Sequence, residues 1–380
     1  MQKLRCAVIG AGIAGLATAY ALSRRGAEVA IFEQYDLFHN RGSSHGATRM
    51  LRMAYYEHPH YVPLVQRAVK QWRELEAKSM QPLFQQTGVL LAGYEDGALI
   101  PGTLKAADEH NLTLEHLSHQ QAAEQYDCFL FPKEMKVIKE HDAGVIFADK
   151  AFNALLNVAI NIGVTIKSQC PVRRWEGSSG GVKIITQDNV ELYDRVIIST
   201  GAWANDLLGN IGASVTPVIK TLFWIPPGDE QLTIKGGFTP FAIETEDMRF
   251  FYGFPAFGEE GVKLGEHTGG YAANHPTDTL PVNILDEDAR DLQNFLGRFA
   301  PTLAQPFIRN QRCLYEVSPD RHFIIDHHPH DERVCFAAGL SGHGFKFAPV
   351  IGEALADLAQ GKPLDPEVQF LSLERFRATL

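Results

Sequence analysis

Three glycines, at positions 10, 12 and 15, follow the apolar run Ala7 to Ile9 and open a segment, Ile13 to Arg24, whose alanines and leucines recur at helical spacing. Gly26 ends that helix, and Val29 to Phe32 form a second apolar strand closed by Glu33. A strand, helix, strand unit of this kind belongs in a parallel sheet. The glycine spacing lets the strand turn tightly into the helix, brings backbone near a pyrophosphate, and packs helix closely on sheet. The positive end of the helix then faces the phosphates. Glu33 stands where a carboxylate accepts hydrogen bonds from both ribose hydroxyls, which favours an adenosine without a 2′-phosphate. The unit predicts a dinucleotide site but does not separate FAD from NAD, because both present the same ADP half.

The chain of 380 residues is 45% hydrophobic, enough for one large domain or two intertwined ones. A formal charge of -10 argues against a nucleic-acid partner, since binding phosphate backbones needs a dense basic surface. No stretch reaches the ~18 uninterrupted apolar residues of a membrane helix, so a soluble protein is expected. The run from Cys6 to Leu22 is interrupted by glycines and lacks a cleavage site before Arg24-Arg25, so it reads as folded structure rather than a leader. Cys6, Cys128, Cys170, Cys313 and Cys335 form no CxxC pair and no zinc-like cluster. No metal site is expected, and a reduced cytoplasm suits these thiols.

Residues 38 to 49, rich in Gly, Ser, His and Arg, read as a loop, and residues 61 to 78 as an amphipathic helix. Val164 to Ile166, Val182 to Thr186 and Val196 to Ser199 read as strands, the last running into Thr200-Gly201. From about 216 to 317, β-branched and aromatic residues with frequent turn residues suggest an antiparallel sheet. Val334 to Ala338 is a further strand, leading into the glycine-rich SGHGFKF and a helix from Val350 to Leu358. There is no internal repeat. A cofactor domain assembled from several segments, with a second domain inserted, follows from this order.

Three blocks carry a resemblance: GSSHGATRMLRMAYYEHPHYVPL at 42 to 64, YGFPAFGEEGVKLGEHTGG at 252 to 270, and CLYEVSPDRHFIID followed by AAGLSGHGFKF at 313 to 347. With the N-terminal motif, and in the same order over nearly the whole chain, they resemble the monomeric sarcosine oxidase and N-methyltryptophan oxidase family, FAD-dependent amine oxidases of the D-amino acid oxidase-like superfamily. The resemblance implies an α/β protein. A Rossmann-like FAD-binding domain would be built from residues 1–85, 145–215 and 318–380. An α+β catalytic domain with a mostly antiparallel sheet would be built from 86–144 and 216–317. It also implies FAD held covalently through a cysteine sulfur, and electrons passed to molecular oxygen as hydrogen peroxide.

Position by position, Cys313 matches the flavin-linking cysteine, although a lone cysteine is otherwise an ordinary small core residue. Lys263 matches the lysine that activates oxygen, a role that needs a cation placed in advance. Arg52 and Lys346 match the pair that grips the substrate carboxylate, chemistry that suits a guanidinium fork and an ammonium point charge. Tyr252, His267 and Tyr315 match residues shaping the amine pocket. Cofactor contacts are implied for Gly10, Gly12, Gly15, Glu33, Ser43, His45, Thr48 and Arg49. Further along, the same holds for the Val172 backbone, for Gly201 and Trp203 beside Thr200, and for Gly342, Gly344 and Lys346. Where the family commonly reads GSHHGDTR, this chain reads GSSHGATR, so Ser44 and Ala47 replace an imidazole and a carboxylate. Tyr56 stands where relatives carry a small residue, ahead of the unusual His58-Pro59-His60.

The expected function is FAD-dependent oxidation of N-methyl amino acids such as sarcosine or N-methyltryptophan, giving an aldehyde, the amino acid and hydrogen peroxide. Two alternatives remain open: oxidation of a cyclic secondary amino acid such as pipecolate or proline, and flavin binding without turnover. The resemblance implies action as a monomer.

Overall fold

Strand Arg5–Ile9 lies between Glu28–Phe32 and Arg195–Ile198, all three parallel, in the computed structural model of the chain, which describes residues 3–228, 230–278 and 284–377. Thr165–Lys167 extends one edge in parallel and Asp331–Ala338 the other, with Ile324–His328 closing the far edge antiparallel. Both faces of the central strand are covered, which is why it is apolar throughout. Cys6 and Val8 pack with helices Ile13–Arg24, Ala148–Asn161 and Ala348–Ala359. Ala7 and Ile9 pack on the opposite face, against an antiparallel sheet of Arg174–Ser178, Gly181–Ile185 and Val190–Tyr193.

A second large sheet is built around Thr216–Ile225, which pairs antiparallel with Val262–Glu266, Tyr271–Ala272 and Arg309–Val317. It continues through Phe250–Phe254, Phe241–Glu244, Val89–Gly93, Lys136–Glu140 and Glu115–Leu117. Its one parallel pairing, among the described residues, joins Phe241–Glu244 to Val89–Gly93. Phe251 and Phe295 stack across the contact with helix Ile284–Phe299, their ring centroids 4.2 Å apart. A small sheet of Thr48–Leu51, Gly144–Phe147 and Phe84–Gln86 spans the boundaries expected near 85 and 145. Among the described residues no helix is long and apolar enough to cross a membrane.

The expected helices occur as Ile13–Arg24, Tyr61–Ser79 and Ala348–Ala359. Two expectations need correction. The end of the 38–49 loop is a strand, Thr48–Leu51, because Gly144–Phe147 pairs with it from far along the chain. The antiparallel region also contains helix Ile284–Phe299. The stretch 86–144, illegible as sequence, supplies strands of the second sheet and helices Leu99–His110 and His119–Gln125. In the first of these, Pro101 falls in the opening turn, where a missing N–H costs nothing, and Gly102 lets the Tyr56 backbone lie against the helix.

Helices Ile13–Arg24 and Ala348–Ala359 meet at Gly352, where an added Cβ would lie 2.6 Å from the Ala17 carbonyl carbon. Both sides of that contact are backbone, so neither yields. Gly352→Ala should lower the chemical denaturation midpoint, the overlap costing about 1–3 kcal/mol. Gly297, exposed within helix Ile284–Phe299 with nothing within 4 Å of its added Cβ, is the control. Gly297→Ala should stabilise by about 0.5–1 kcal/mol.

Candidate functional site

A cavity of about 430 Å³ is walled by the parallel sheet at one end and the antiparallel sheet at the other. Gly10 turns with φ +99°, and a side chain there would come within 2.6 Å of the Ser199 carbonyl oxygen. Gly12 is on the cavity wall, whereas Gly15 lies off it, packed on the Gly10 carbonyl where a Cβ would overlap. Glu33 accepts hydrogen bonds from the Ala11 and Tyr35 N–H groups, each 2.9 Å, and His39 Nε2 is 3.5 Å away. Burial pushes the Glu33 carboxyl up, but the bonds from His39, Ala11 and Tyr35 outweigh it and hold the group below its usual range. Ser44 Oγ accepts the Ile13 N–H at 3.0 Å, so the side chain that replaces the family's imidazole satisfies the first turn of the nucleotide helix. Val172, Gly201 and Trp203 are also on the wall, with Trp203 edge-on to Tyr35 at 5.7 Å.

Midway along the cavity, Arg49 donates to the carbonyls of Thr48, Ser43 and His45 at 2.8, 2.7 and 2.6 Å, and its guanidinium lies 5.0 Å from the Phe345 ring centroid. Ser43 Oγ donates to the Leu314 carbonyl. Strand Val262–Glu266 brings Lys263 to this place, where its Nζ donates to Thr48 O at 2.9 Å and Thr48 Oγ1 at 3.1 Å. Burial, reinforced by the Arg49 charge, brings Lys263 down to about 7. Burial likewise brings His45 down to about 4, so its imidazole is neutral; Nδ1 meets Gln311 Nε2 at 3.1 Å and Nε2 is buried without a partner. Cys313 is buried on the same wall, where burial raises its thiol and the charges of Arg49, Lys263 and Lys220 pull it back.

At the remaining end, Arg52 Nη2 donates to both oxygens of Glu57 at 2.9 and 3.1 Å. Its guanidinium lies 4.9 and 4.6 Å from the ring centroids of Tyr55 and Tyr56, and Nη1 is buried without a partner. Lys346 Nζ donates to Tyr55 OH at 3.2 Å, and burial followed by the Arg52 charge brings it down to about 7. Tyr252, His267 and Tyr315 line this region, with His267 Nδ1 3.3 Å from Tyr315 OH and burial bringing that histidine to about 3. Gly342 has φ +79°, and a Cβ there would overlap the Tyr315 ring. Gly344 is on the wall beside it.

Every residue for which the sequence implied a catalytic or cofactor role, except Gly15, therefore lines one cavity. Sequence reasoning missed Glu57, Phe250 and Glu316, which line it too. Glu57 had a signal, an acid five residues after Arg52 in the same block. Tyr56 is not on the wall; it stacks on Phe250 at 5.6 Å and acts on the pocket through that ring. Ala47 contributes its carbonyl, which accepts the Ala148 N–H at 2.7 Å.

FAD fits this arrangement. Thr200 Oγ1, His45 Nε2 and Arg52 Nη1 are buried polar atoms without partners, all on cavity-lining residues, and native proteins rarely leave such atoms unpaired. The nucleotide end offers glycine backbone and the Glu33 carboxylate.

The FAD dependent oxidoreductase (DAO) family matches residues 5–358. The chain is 35% identical over 370 residues to the N-methyl-L-tryptophan oxidase of Yersinia pestis (strain Pestoides F), covering 97% of this chain and 98% of that one. Among solved structures it is similar to NikD, an unusual amino acid oxidase essential for nikkomycin biosynthesis, with a TM-score of 0.84, 23% identity and 98% of each chain covered. It is also similar to L-proline dehydrogenase from P. horikoshii, with a TM-score of 0.81, 21% identity, and 100% of this chain and 99% of that chain covered. At these identities the structural likeness shows the fold. The chain belongs to the FAD dependent oxidoreductase (DAO) family.

Proposed function

We propose that this protein oxidises the C–N bond of a small N-methyl amino acid such as sarcosine or N-methyltryptophan. Oxygen and water are consumed, and an aldehyde, the demethylated amino acid and hydrogen peroxide are released. The observation that carries this reading is the placement of buried cations around one cavity, Lys263 with Thr48 in one group and Arg52 with Lys346 around Tyr55 in another. The likeness to an N-methyl-L-tryptophan oxidase over nearly the whole chain supports it.

FAD bound in the cavity supplies the two-electron acceptor for the amine and returns the electrons to oxygen. Gly10, Gly12 and Glu33 would hold its nucleotide half, and the buried Cys313 sulfur would hold it covalently. Arg52 and Lys346 bind the substrate carboxylate. The unpartnered Arg52 Nη1 is free for that bond, while Glu57 competes for Nη2. Lys346, near 7 by itself, gains charge when a carboxylate arrives, since a nearby anion favours the ammonium. A neutral His267 places no second positive charge beside an amine that must itself shed a proton. Phe250, Phe254 and Leu222 exclude water from the cavity, and Lys263 offers the preset cation for the oxygen step. Largely separate apolar clusters support division into the two domains expected from the sequence, and the reading takes the protein to act as a monomer, as the family resemblance implies.

Because burial puts Lys263 near 7, its cation prevails below that pH and is lost above it. Reaction of the reduced protein with oxygen, followed by stopped flow, should slow as pH rises past about 7. Lys263→Met should slow it more than tenfold, about 1.4 kcal/mol of barrier, and flatten the profile; a smaller change rejects the role. Acid precipitation should strip the yellow colour from Cys313→Ala but not from the parent, and colour retained by the variant would put the link elsewhere. Peroxide release should show the highest kcat/KM with sarcosine or N-methyltryptophan. A preference for pipecolate or proline would replace this reading, and no peroxide from any of the four would overturn it.

A further inference from the structure

One buried acid on the cavity wall has no part in the chemistry above. Glu316 is 4% exposed and lies on strand Arg309–Val317, three residues after Cys313. Strand alternation sends Cys313 and Tyr315 to one side and Leu314 and Glu316 to the other. Leu314 packs with Ala202 and Trp203, which places the Glu316 side chain on the side of the turn that follows Thr200. The Leu340 and Gly339 N–H groups hydrogen-bond its carboxyl, and its own carbonyl accepts the Ser341 N–H at 2.8 Å.

Two polar atoms are orphaned on this wall. Glu316 Oε2 is buried without a partner, and so is Thr200 Oγ1; both residues line the cavity. Buried orphans of this kind are costly, which points to a partner that arrives with the bound group. The neighbouring strand presents Pro217 in register with Glu316, the adjoining loop presents Leu340 and Ser341, and its own strand Tyr315. Among the described residues, no charged side chain contributes to its ionisation. Burial raises it to about 8, opposed only by the two N–H groups, so the carboxyl is protonated at neutral pH and has a hydrogen to donate.

We propose that Glu316 is a neutral carboxylic acid that donates a hydrogen bond to the bound flavin cofactor and thereby couples its reduction potential to pH. The proposal rests on FAD occupying the cavity. A neutral donor stabilises the negative charge that reduction adds, whereas the carboxylate formed at higher pH opposes it. The potential therefore falls more steeply with pH once the acid ionises.

The test uses the purified yellow protein, titrated by visible absorbance and by flavin midpoint potential. The parent should show an inflection near pH 8, with the potential falling more steeply above it. Glu316→Gln keeps the shape and a donor but cannot ionise, and should lose both features while retaining flavin. Glu316→Leu at pH 7 should shift the reduction equilibrium at least tenfold toward the oxidised form, about 30 mV for a two-electron couple. Lys263 and Lys346 remain in both variants, so loss of the inflection is assigned to Glu316. A yellow parent whose inflection survives unchanged in Glu316→Gln overturns this proposal alone, and that variant decides the matter if Glu316→Leu does not fold. A parent that binds no flavin overturns the cofactor reading with it.

Discussion

Lys263, Arg52 and Lys346 are each between 4% and 6% exposed, so three cations stand where water cannot solvate them. The cost of stripping a charge of water is several kcal/mol, and the protein meets it in two ways. Arg52, whose guanidinium does not release its proton, stays charged and takes Glu57 as counter-ion. The two lysines have no carboxylate within hydrogen-bond reach among the described residues and are brought toward neutrality, each to about 7. Two pivotal groups are thereby poised near physiological pH, where a small change in nearby charge decides their state.

The same desolvation acts in opposite directions on neighbouring groups. His267 and His45 are held neutral by being pushed down, Glu316 by being pushed up. A cavity with few fixed net charges accommodates a ligand that carries its own, because each arriving charge then sets the ionisation of the lysines around it. Tyr55 links several of these effects: its ring underlies the Arg52 guanidinium and its hydroxyl joins Lys346 to His343.

Rigid elements hold these groups in place. Lys263 comes from strand Val262–Glu266 and Cys313 from Arg309–Val317, both paired to Thr216–Ile225. Lys346 sits on the 3-10 turn that leads into helix Ala348–Ala359, and Trp72 of helix Tyr61–Ser79 donates to its carbonyl at 2.8 Å. Gly342 admits the Tyr315 ring against the loop backbone, so the loop and the pocket aromatics fix each other.

The nucleotide unit was legible because its signals are local: three glycines, one helix and Glu33 lie within a few dozen residues and need no distant partner to be recognised. Cys313, Lys263, Arg52 and Lys346 were legible only through the resemblance, since each alone is an ordinary core thiol or a surface cation. The strand at Thr48 stayed hidden because its partner is Gly144–Phe147, and the strands of 86–144 because they pair with one another across intervening helices and, through Val89–Gly93, with Phe241–Glu244. Tertiary structure alone put Lys263 on Thr48, 215 residues apart, left Arg52 Nη1 and Glu316 Oε2 without partners, and gave each titratable group its ionisation. The reason is physical: glycine conformation and helical periodicity are written into consecutive residues, whereas desolvation and strand register are sums over neighbours that the fold brings together.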